Sequence, residues 1–144
     1  MVEILKKWQA ILRLMDWDIK LQEVDKKWRK SGDVKISLED KTAIVLINTC
    51  NPVHKNIEEI IIHELLHIKL WAMDQMFERY LNAVHGEDEN DPKRAVAYEE
   101  FMLTLEGTVH DLTKSFLALG GKDKELSFGR LEKEVLVEIG IESD

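Results

Sequence analysis

The chain has 144 residues, 44% of them hydrophobic and 33% charged, a balance that excludes an intrinsically disordered protein and suits one globular domain over 1–144. The 28 acidic residues outnumber the 20 basic ones for a formal net charge of −8, so no nucleic-acid partner is expected. The single cysteine, Cys50, cannot form an internal disulfide, and a reduced, cytoplasmic setting is the simplest expectation.

From Val2 to Leu14 the apolar residues Ile4, Leu5, Trp8, Ile11 and Leu12 recur at helical spacing and predict an amphipathic first helix. This stretch has no long apolar run and no small-residue cleavage site, unlike a signal peptide. The period then becomes two, with Trp17, Ile19 and Leu21 alternating against Asp18, Lys20 and Gln22 in a half-buried strand. The basic run Lys26 to Lys30 reads as a solvated rim before a Ser31-Gly32 turn. Val34 to Leu38 and Thr42 to Asn48 then pair as a hairpin across Glu39-Asp40-Lys41. Asn51-Pro52 is read as the cap and first turn of a helix running to about Tyr80, apolar nearly all round near Ile60 to Ile68 and hence buried. His85 to Asp91 is an acidic loop. Pro92 opens a long helix to about Leu119, ended by Gly120-Gly121, with Tyr98, Phe101, Met102, Leu105, Val109, Leu112 and Phe116 as its apolar stripe. A short helix is expected at Leu131 to Val137. No stretch approaches the ~18 apolar residues of a membrane span. The order predicts an α+β domain with helices on one face of a three-stranded sheet.

The chemistry centres on His63-Glu64-Leu65-Leu66-His67. On a helix, residues four apart share a face, so His63 and His67 can reach one zinc ion at roughly 2.0–2.1 Å. Glu64 lies about 100° around from His63, beside the ion, where a general base for a metal-activated water belongs. Three ionisable groups inside an apolar helix need partners, and a metal supplies them.

A catalytic zinc takes a third protein ligand, and Glu99, Glu100, Glu106, His85 and His110 are the candidates. With the apolar stripe of the last helix as reference, Glu106 lies about 90° off it, Glu99 about 110° and Glu100 about 150°. Glu106 is therefore best placed and Glu99 second, while Glu100 points to water. Gly107 is costly inside a helix and suggests a close approach there.

In Ile60 to Ile68, the Trp17-Asp18-Ile19 strand opening and the Glu106 helix, the sequence resembles the zincin metallopeptidases. It looks most like the one-domain minigluzincins and related phage-type metallopeptidases. Lys69 departs from their longer pattern, which expects an apolar residue there. The resemblance implies a zinc metallopeptidase with His63, His67 and Glu106 as metal ligands, Glu64 as catalytic base, and a peptide or protein as substrate. In phage-type relatives an acidic residue precedes an apolar helical stretch, as Glu106 precedes Gly107 to Leu112. Gluzincins carry an acidic residue one turn after the ligand glutamate; here His110 stands there, with Asp111 next. His85-Gly86 is reminiscent instead of the third histidine of SprT-type zincins, although a helix C-terminus explains that pair as well.

The third strand is expected to be an edge open to an extended peptide. Tyr80, Tyr98 and His110 are unranked candidates for stabilising an oxyanion. Two rival readings stand beside the active peptidase. One is a zinc-stabilised binding or regulatory domain without turnover; the other is a latent enzyme whose tail, 121–144, covers the cleft.

Overall fold

In the computed structural model, which describes residues 1–141, helix α1 (Val2–Ile11) buries Leu5 and Trp8 and then stops. It ends before Leu14, the boundary expected from spacing, because Arg13 takes a left-handed φ of 59°. The reversal turns Leu14 into the core. The buried Gln9 amide secures the turn by donating to the carbonyls of Leu14 and Trp17.

Three strands follow: β1 (Asp18–Val24), β2 (Gly32–Ser37) and β3 (Thr42–Asn48). β2 and β3 form the expected antiparallel hairpin, and β1 runs parallel to β3 on its other side. The order β1-β3-β2 makes β3 the central strand and not the edge expected for it. Its sequence supports that place, since Ala43, Val45 and Ile47 are buried on one face while paired strands occupy both edges. The edge strands are β1 and β2.

Asn51-Pro52 does not open a helix. The Asn51 carboxamide oxygen is taken by the backbone N–H of Trp28 and the side chain of Asn48, which hold the segment against the end of the sheet. The cap is Asn56, whose side chain accepts from the N–H groups of Glu58 and Glu59 and starts α2 (Ile57–Lys69). α2 lies on β2 and β3 and buries Ile60, Ile61, Ile62, Leu65, Leu66 and Ile68.

The single helix expected to reach Tyr80 is broken at Leu70, where φ −97° and ψ 3° separate α2 from α3 (Trp71–His85). No proline or glycine marks the break. α2 stays on the sheet, whereas α3 leaves it and buries only Leu81. α4 (Pro92–Gly120) is capped by Asp91, with Pro92 in its first turn. Its buried residues are Val109, Thr113 and Leu117, so the inward face is rotated from the expected stripe: Tyr98 and Leu112 are exposed. The first half of α4 meets α3 through the stacked rings of Phe77 and Phe101, 4.2 Å apart.

The tail forms a strap, residues 122–129, and a helix α5 (Arg130–Glu138), close to the expected Leu131 to Val137. The strap binds the N-terminal end of α2. Its Lys122 and Asp123 N–H groups donate to Glu58, its Ser127 N–H donates to Glu59, and its Asp123 and Glu125 carbonyls accept from Asn56. Burial alone would raise the Glu58 carboxyl. Donors from Lys7, Trp8 and the strap outweigh it and hold the carboxyl down at about 2. α5 buries none of its residues. Among the described residues no helix is long and apolar enough to cross a membrane.

Candidate metal centre

α2 carries His63 and His67 one turn apart, and the core packing of its aliphatic face turns both imidazoles toward α4. Their Nε2 atoms are 3.2 Å apart. Glu106 comes from the inward face of α4, with Oε1 at 3.0 Å from His67 Nε2 and Oε2 at 3.6 Å from His63 Nε2. The two imidazoles have little solvent contact, and Glu106 is about 39% exposed.

The donor set passes a simple geometric test. Four donors at roughly 2.0–2.1 Å around a tetrahedral zinc lie about 3.3 Å from each other. The separations here are 3.2 Å between the two Nε2 atoms, 3.0 Å from His67 to Oε1 of Glu106 and 3.6 Å from His63 to its Oε2. Two imidazoles and one carboxylate thus stand close enough for a single ion to lie between them, on two helices that pack together.

Electrostatics tie the cluster together. Hydrogen bonds from His63 and then His67 hold the Glu106 carboxyl far below its usual range, against a smaller effect of burial. Burial would lower the His67 imidazole, but the bond to Glu106 and its charge raise it overall. Glu64 is only 6% exposed. Burial raises its carboxyl above the ordinary value, with the imidazoles of His63 and His67 pulling the other way. Its neighbour across the gap is Gly32, the first residue of β2. A Cβ there would sit 2.5 Å from Ile60 Cγ2 and 3.5 Å from Glu64 Oε1, so the missing side chain lets the edge strand lie directly against Ile60 and Glu64.

The other sequence candidates fall elsewhere. Glu99 and Glu100 are exposed on the first half of α4. His85 is the last residue of α3. Gly86 follows in a left-handed conformation, φ 80°, with its N–H on the Asn82 carbonyl, and Arg94 clamps Gly86 and Asn82. That is a helix C-terminus. A Cβ added at Gly107 would meet nothing within 4 Å, so no close approach explains this glycine. Tyr80 and Tyr98 are exposed.

His110 joins the cluster. Its Nε2 is 3.8 Å from Glu106 Oε2, and its ring centroid is 4.7 Å from that of His63. Burial and then the nearby His63 lower its imidazole. The i, i+4 spacing of Glu106 and His110 is the sequence signal that puts it on the same face. Along α4, a shallow groove of about 430 Å³ lined by Tyr98, Glu99, Met102 and Leu103 ends at Glu106.

Comparison of the chain with protein families, curated proteins and solved structures finds no match.

Proposed function

We propose that the chain is a zinc-dependent metallopeptidase that hydrolyses peptide bonds with Glu64 as general base. The observation that supports this reading is the convergence of His63, His67 and Glu106 on one point with a buried carboxylate beside it. Imidazole and carboxylate donors suit zinc. An ion held by these three would polarise a scissile carbonyl and acidify a water. Glu64 would accept that proton and pass it to the leaving amine, a role that the upward push of burial on its carboxyl supports. β2 is the edge strand beside Glu64, and it offers backbone groups to an extended substrate. The groove of Tyr98, Met102 and Leu103 offers apolar contact to a substrate side chain next to Glu106.

The test is Glu64→Gln, which keeps size but cannot take a proton. The variant should retain zinc and fold while losing about 10²–10⁴-fold in hydrolysis of a denatured-protein or peptide mixture. Zinc lost with the substitution would make Glu64 a ligand and overturn its role as base. If neither the wild-type chain nor its His110→Ala variant cuts any member of a broad peptide library, the domain uses its metal for stability or binding alone.

A further inference from the structure

We propose that His110 is a fourth protein donor to the same metal and closes the coordination shell of the resting chain; this rests on the metal centre described above. Two helices that pack together each carry an i, i+4 pair, His63 and His67 on α2, Glu106 and His110 on α4. The donor atoms of His63, Glu106 and His110 all lie within 4.8 Å of one another. The separation of His110 Nε2 from Glu106 Oε2 is 3.8 Å, about half an ångström longer than a tetrahedral zinc edge. The His110 side chain is 52% exposed, at the solvent rim of the helix pair. Its polar contact is with Glu106 itself, and its place at the rim leaves room for the side chain to rotate toward an ion held by the other three.

Four protein donors leave a zinc ion no open position. Turnover then requires His110 to swing out, which its place at the rim permits. On this proposal latency arises at His110, inside the centre. Among the described residues the strap's hydrogen bonds go to the N-terminal end of α2. A residue that only donated to a substrate oxyanion would behave in the opposite way, because its removal slows hydrolysis.

Cobalt(II) substitution of the full chain tests this without relying on activity. The wild-type chain should show the intense visible bands of four-coordinate cobalt and ignore azide. His110→Ala should show weaker bands, bind azide, and regain the wild-type spectrum when imidazole is added. Its zinc affinity should fall by at least about 10–100-fold, the loss seen when even a residue that only supports a ligand is removed, and any peptide hydrolysis should rise. His110→Gln, which keeps a polar helix rim, controls for folding and should also admit azide. The proposal is overturned if wild type and His110→Ala give the same bands and the same azide affinity. Failure of the metal centre itself looks different: cobalt bands would be missing from the wild type, or would survive in His63→Ala.

Discussion

Replacing Glu58 by glutamine probes the joint that holds α1, α2 and the tail together. Glu58 is 3% exposed. One carboxylate oxygen accepts from Lys7 Nζ at 2.9 Å and Trp8 Nε1 at 2.7 Å; the other accepts from the N–H groups of Lys122 at 2.9 Å and Asp123 at 3.3 Å. Glutamine keeps the shape but turns one oxygen into an NH₂ donor, so two of the four donors face another donor in either orientation. The gap between a folded value of about 2 and the ordinary 4.5 is about 3 kcal/mol of stability at neutral pH. Because the folded value is depressed, this contribution is complete above about pH 5 and fades as pH falls through 2. About 1 kcal/mol should remain at pH 3. Urea unfolding of both proteins with a chelator present, at pH 7 and at pH 3, measures the difference directly. A gap below about 1 kcal/mol at pH 7, or an equal gap at both pH values, would refute the role given to this carboxylate.

Other outcomes follow from the same geometry. The wild-type chain should bind one zinc, and His63→Ala should lose the metal together with the stability it confers, as read by elemental analysis and thermal melting. Glu106→Ala should weaken zinc binding strongly while Glu100→Ala, on the exposed face of α4, leaves it unchanged in a competitive chelator titration. A chain ending at Gly129 should unfold at the same urea concentration as the full chain, since α5 buries nothing. A chain ending at Gly120 removes the strap donors of Glu58 and should lose about 3 kcal/mol or more.

The sequence by itself determined what local periodicity encodes. The apolar run Ala43 to Ile47 between Thr42 and Asn48 delimits β3 as observed, and proline and glycine bracket α4 at Pro92 and Gly120. The four-residue spacing of His63 and His67 puts both imidazoles on one face of α2, where they meet. Ranking the glutamates against the stripe of α4 selected Glu106, although the true inward face is rotated toward Thr113 and Leu117. Glu106 borders both versions of the face, and the structure brings it beside His63 and His67.

Only the tertiary structure decided which groups meet across long stretches of chain. β3 became central because β1 pairs along its free side, a choice no local pattern records. The break at Leu70 has no proline or glycine to announce it; it arises where packing on the sheet ends. Asn56 displaced Asn51 as the cap because the Asn51 side chain is held by Trp28 and Asn48, 23 and 3 residues away. Glu58 looks in sequence like a surface residue of a first helical turn, yet α1 and the strap bury it from both sides. Periodicity reports which face of an element is apolar. Pairing and packing with distant segments decide what that face meets, and through that which carboxylates stand beside the imidazoles and which anchor the fold.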